Sequence, residues 1–101
     1  MTWVVLPGFS KLPQFVLNKS EVVAGRDSYT LRITNMPNST VAIRYSIDDS
    51  ELKEFTATLD SNGEARFDVG AGTPKGTYRL IAFREANQRE WRDVDVTLTV
   101  K

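Results

Sequence analysis

The chain has 101 residues, 41% of them hydrophobic and 26% charged, which is room for one core and one domain. Lys plus Arg and Asp plus Glu number 13 each, so no basic surplus points to nucleic acid or to an anionic membrane. Histidine and cysteine are both absent, which removes the usual zinc ligands, the thiolate nucleophile, every histidine-dependent triad and any disulfide framework.

The opening "WVVLPGF" offers an apolar run of only four residues before Pro7, too short for a signal segment or a membrane span. The expectation is an intracellular protein or a piece of something longer, with residues 1–13 an irregular segment or linker and the folded domain over 14–101. From there apolar residues recur with period two, and no stretch carries a helical stripe.

"QFVLN" is predicted as a first strand, followed by "SEVVAG" and a turn at Gly25-Arg26-Asp27. "SYTLRITN" sets Tyr29, Leu31 and Ile33 on one face and Thr30, Arg32 and Thr34 on the other, the pattern of a strand half buried against a second layer. Pro37 cannot donate to a ladder and ends it. "TVAIRYSI" points Val41, Ile43, Tyr45 and Ile47 inward and Ala42, Arg44 and Ser46 outward, and "DDSE" turns the chain. In "LKEFTATL" the inward residues are Phe55, Ala57 and Leu59, and in "EARFDV" they are Ala65, Phe67 and Val69. "DSNG" between them, with Gly63 suited to positive φ, predicts a hairpin of these two strands. After the connection "GAGTPKG" comes "GTYRLIAFREA", then "ANQRE" and a last strand, "WRDVDVTLTV", with Val94, Val96, Leu98 and Val100 on one face. Seven short strands at regular spacing, with turn signals between them, predict an all-β sandwich of two sheets.

"GTYRL" is similar to the Gly-x-Tyr-x-Cys step that opens the sixth strand of immunoglobulin-like domains, and "TLDSNGEARFDV" before "TPKGTYRL" resembles the bacterial phrasing of that fold. The likeness runs over residues 14–100. It implies about seven antiparallel strands, A, B, E and D packing on C, F and G. It also implies a tyrosine corner in which Gly76 and Tyr78 occupy the motif, the Tyr78 hydroxyl bonds backbone just upstream, and Leu80 stands in place of the cysteine. The chain departs from the antibody type in having no cysteine pair and Tyr45 where a tryptophan would stand.

The sixth strand is apolar at both parities. With Tyr78, Leu80 and Ala82 inward, Arg79, Ile81 and Phe83 point out. Pairing across the last hairpin then sets Phe83 beside Trp91, Ile81 beside Asp93 and Arg79 beside Asp95. The expectation is an outer apolar strip of Ile81, Phe83 and Trp91, with Ala42 beside it, bordered by Arg44, Arg79, Asp93 and Asp95. Four readings are open: a cover formed by Trp3, Val5 and Phe9, a contact face for a neighbouring domain or another copy, an aromatic platform for a sugar, or a register slip that dissolves the strip.

Other candidates are weaker. Asp48, Asp49 and Glu51 could hold calcium, but a solvated turn is by far the better account of them. Asn18 and Asn38 head Asn-x-Ser/Thr sequons near turns. Lys53, Lys75 and Lys101 sit at strand or loop ends, which is wrong for an isopeptide bond. No phosphate loop, nucleophile elbow or metal cluster appears, and no cofactor is implied. The reading is a non-catalytic structural or interaction module of a larger bacterial extracytoplasmic protein, secreted or on the cell surface. Its partner would be a neighbouring domain or another protein, without nucleic acid or membrane insertion. The alternative is a carbohydrate-binding module using Trp91 and Phe83.

Overall fold

The alternating residues form eight strands in a computed structural model that describes residues 13–101. They are β1 (Phe15–Leu17), β2 (Glu21–Val22), β3 (Ser28–Ile33), β4 (Thr40–Ile47), β5 (Lys53–Thr58), β6 (Glu64–Asp68), β7 (Gly76–Glu85) and β8 (Arg92–Val100). One sheet has the order β1-β3-β6 and the other β2-β8-β7-β4-β5. The inner faces meet in one core of Leu31, Ile33, Val41, Ile43, Ala57, Leu59, Leu80 and Phe83. A second cluster of Val22, Val69, Leu98 and Val100 closes one end. The protein is an all-β sandwich, and the inward sets expected of β3 and β5 hold their places in it.

The predicted hairpin of "LKEFTATL" with "EARFDV" does not form. β5 pairs with β4, from Thr40↔Thr58 to Tyr45↔Lys53, while β6 pairs with β3, from Ser28↔Asp68 to Arg32↔Glu64. The turn is as tight as the residues suggest: Asp60 Oδ1 accepts the Asn62 amide at 2.8 Å and the Glu64 amide at 3.0 Å. Yet its two ends are held by different layers. The Leu59 amide donates to Ser39 at 2.7 Å on the β4 side, and the Ile33 amide donates to Gly63 at 2.9 Å on the β3 side. Gly63 has φ 76°, and a Cβ there would lie 2.5 Å from the Ile33 carbonyl oxygen, so glycine is required by conformation and by contact alike. The reversal therefore joins layers, and the strand expected beside A, B and E lies on the other sheet.

The segment after the first strand, "SEVVAG", supplies a strand that was not expected. β1 lies antiparallel to β3, but β2 lies parallel to the end of β8, with Glu21↔Thr99 and Val22↔Val100. This makes eight strands with one parallel pair, where about seven antiparallel ones were expected. The crossing is pinned at Asn18, whose Oδ1 accepts the Thr30 amide at 2.8 Å. The next turn is pinned by Asp27, whose Oδ2 accepts the Val23 amide at 2.8 Å. That backbone bond, with the Arg26 side chain adding to it, holds the Asp27 carboxyl below its ordinary value.

β7 does not keep one parity. Its register shifts between Leu80 and Ala82 against both neighbours: Tyr45↔Leu80 gives way to Arg44↔Ala82 on the β4 side, and Leu80↔Val96 to Ala82↔Asp93 on the β8 side. Tyr78 and Leu80 face inward as expected, but beyond the irregularity the inward residue is Phe83, opposite Ile43. A bulge does this because one unmatched residue reverses every side chain that follows.

Candidate interaction surfaces

The expected outer strip fails at its centre. Phe83 is only 2% exposed and belongs to the core, its ring centroid 5.7 Å from that of Phe15. Ile81, at the register shift, is half-buried. Trp91 is half-buried and does lie on the outer face, since the ring carries the Arg44 guanidinium 4.0 Å from its centroid and the Arg84 guanidinium at 5.1 Å. Arg44 also lies 3.9 Å from Glu54. Arg84 Nη1 donates to the carbonyls of Ala86 at 3.1 Å and Gln88 at 2.7 Å, which ties the β7–β8 loop back onto the strand. Ala42 and Ala82 beside these groups are 4% and 6% exposed. The face is thus a guanidinium-covered indole rather than a three-residue apolar strip. Trp3, Val5 and Phe9, the expected cover, lie outside the described residues.

Arg79 and Asp95 do meet, at 3.7 Å. Their backbones are not opposite one another, because Arg79 pairs with Thr97, so two exposed side chains bridge the diagonal.

At the sandwich end where β7 begins, Tyr78 Oη donates to the Pro74 carbonyl at 2.7 Å, the upstream bond of a tyrosine corner. Gly76 has φ 147°, and a Cβ there would lie 2.6 Å from Asp48 Oδ2. Asp48 Oδ1 accepts the Thr77 amide at 2.9 Å. Gly76 therefore makes room for a carboxylate that caps the start of the strand. Burial is the main cause that raises the Tyr78 pKa, with Tyr45 and then Asp48 contributing. Asp48 and Asp49 both adopt positive φ, 50° and 60°, and Asp48 is engaged in this cap. Among the described residues no group of three or more Asp or Glu is placed to hold a metal ion. Asn38 also turns at positive φ, 56°. Lys53 and Lys75 are exposed, and Lys101 reaches Glu21 at 3.0 Å.

One surface has no counterpart in the sequence reading. β2 accompanies β8 only at Thr99 and Val100, so among the described residues Arg92 to Thr97 have no strand neighbour on the side away from β7. Beside this free edge a cleft of about 460 Å³ opens between the sheets, its apolar walls Phe15, Phe83, Val94 and Val96. Thr99 donates its amide to Ser20 across the same edge. Backbone groups alternate along a strand, so the Thr97 N–H and C=O also face outward on that side. No sequence signal marks it, because nothing in "SEVVAG" says which residues of β8 its two paired residues lie beside.

Comparison with protein-family models, with curated proteins and with solved structures finds no match to this chain.

Proposed function

We propose that the chain is a non-catalytic interaction module of a larger extracytoplasmic protein, immunoglobulin-like in architecture, that binds partner proteins by strand addition along β8. The observation that carries the reading is that, among the described residues, Arg92 to Thr97 have no strand partner on the side away from β7 and lie beside a cleft walled by Phe15, Phe83, Val94 and Val96 and bordered by Gln14, Arg92, Asp93 and Asp95. An exposed edge is a template for another strand. Main-chain bonds to such an edge supply affinity, while side chains alternating into the cleft supply selectivity. The partner is accordingly an extended segment with apolar residues at every second position. A sugar platform is less favoured, because Phe83 is in the core and Arg44 lies over the Trp91 ring.

Thr97→Pro tests the reading. Proline removes one outward N–H and leaves the β7–β8 ladder intact, as edge strands allow. Peptides selected from a displayed library on the unmodified protein are expected to protect the amides of residues 92–97 from exchange and to lose binding in Thr97→Pro. Selected peptides that bind Thr97→Pro equally well, or a library that yields none, would sink the proposal.

A further inference from the structure

Five strands each send one aromatic ring to the same place: Tyr29 from β3, Tyr45 from β4, Phe55 from β5, Phe67 from β6 and Tyr78 from β7 surround a cavity of about 170 Å³. It lies between the sheets at the end where β3 and β7 begin, with Leu80 and Leu98 completing its lining. The rings contact one another in sequence. Tyr29 and Phe67 stack at 5.4 Å, Phe67 and Phe55 meet edge to face at 5.6 Å, Phe55 and Tyr45 at 5.5 Å, and Tyr45 and Tyr78 stack at 5.9 Å. Ring spacings of this order are the favourable ones for aromatic pairs. The walls are therefore already in contact with one another, and the space between them is a half-open pocket at the end of the sandwich.

Interiors are close-packed, and voids larger than a water molecule are few. An apolar cavity of about 150 Å³ suffices to take up benzene. No charged side chain lines this one, which disfavours an ion, since a buried charge needs a partner. The lining is not wholly apolar, however. The Tyr78 hydroxyl is bonded to Pro74, while those of Tyr29 and Tyr45 have no protein partner among the described residues and are open to water, since no buried side-chain polar atom there lacks a partner. Burial, with Tyr78 and Tyr45 adding to it, pushes the Tyr29 pKa up to about 12, so that hydroxyl is protonated over the physiological range and can both donate and accept.

We propose that this aromatic chamber is a binding site for a small neutral aromatic compound of about phenol size, its ring among the five walls and its hydroxyl bonded to Tyr29 or Tyr45. The site is independent of strand addition at β8.

Titration with phenol and, separately, with toluene, followed by NMR of the aromatic ring protons, tests it. Phenol is expected to give saturable shifts confined to Tyr29, Tyr45, Phe55, Phe67 and Tyr78. It is expected to bind roughly 2- to 10-fold tighter than toluene, the worth of one net hydrogen bond. The Tyr29→Phe plus Tyr45→Phe variant keeps the walls and should bring phenol down to the affinity of toluene. Shifts that rise linearly without saturating, or that centre on Phe15, Val94 or Trp91, would overturn the proposal. An undiminished preference for phenol in the double variant would overturn the assignment of its hydroxyl.

Discussion

At the scale of single residues, stability is tied to a few polar groups that close turns. The Tyr78 hydroxyl reaches the Pro74 carbonyl at 2.7 Å, and Pro74 is itself exposed. Water can therefore replace the lost donor in Tyr78→Phe. The expected loss in urea melts is about 0.5–1.5 kcal/mol, the net value of one hydrogen bond, rather than the larger cost of a buried orphan. A loss of zero would mean that the bond contributes nothing. Asp27 gives a test by pH. The Val23 amide holds its carboxyl below the ordinary value of 3.8, so the folded state releases this proton more readily than the unfolded chain does. The contribution is complete above the unfolded pKa and disappears as pH falls through the folded one, which places the loss in the acid range below about pH 4. Asp27→Asn should therefore be less stable than the parent at neutral pH, and that difference should shrink on acidification below about pH 4. A difference that stays constant from neutral pH to about pH 2 would show that the carboxylate charge is not what matters.

At the scale of elements, the irregularity in β7 decides which aromatic residue is core. Phe83→Ala should cost about 3–5 kcal/mol, as deletion of a buried ring does. Trp91→Ala, removing a half-buried ring from the outer face with its contacts to Arg44 and Arg84, should cost less than about 2 kcal/mol. Comparable losses for the two in urea denaturation would contradict the register shift. Much of the fold is legible from the chain because alternation reports facing: Leu31 and Ile33, Val41 and Ile43, Ala57 and Leu59 are inward by parity and are buried. Alternation does not report partners. A glycine at 63 with an aspartate before it signals reversal, but nothing in "DSNG" distinguishes return along the same sheet from passage to the facing one, and the backbone bonds at Leu59 and Ile33 settle that choice. Likewise, extrapolating parity through "YRLIAF" carries Phe83 outward, because no residue in that run marks a bulge. The Arg79–Asp95 contact is found even though the register behind it differs, since long side chains tolerate a diagonal. The β8 edge is not legible in the sequence, because nothing in "SEVVAG" says that its two paired residues lie beside Thr99 and Val100 and leave Arg92 to Thr97 uncovered among the described residues.

At the scale of the whole molecule, the sandwich is closed by a junction between residues about 80 positions apart, β2 with the end of β8. Three backbone bonds hold it: Thr99 to Ser20 at 2.9 Å, Lys101 to Val22 at 2.8 Å and Ala24 to Lys101 at 2.9 Å, the donor named first in each. Beneath them Val22 and Val100, 1% and 4% exposed, pack with Val69 and Leu98. Removing residues 99–101 deletes the Val100 side chain, uncovers Val22 and breaks all three bonds. Burial of that apolar surface is worth about 2–4 kcal/mol and the bonds about 1 kcal/mol each. The combined loss of roughly 5–7 kcal/mol is comparable with the whole stability of a small domain. The Lys101–Glu21 ion pair is exposed on both sides and contributes little by itself, so Lys101→Ala, which keeps the backbone, serves as the control. The truncated chain should unfold at much lower urea concentration than the control, with strand signal in circular dichroism lost in the same transition, because a junction joining an early strand to the last one is part of the cooperative unit. If truncation costs no more than Lys101→Ala, β2 and the end of β8 are an appendage, and the core of Leu31, Ile43, Leu80 and Phe83 stands without them.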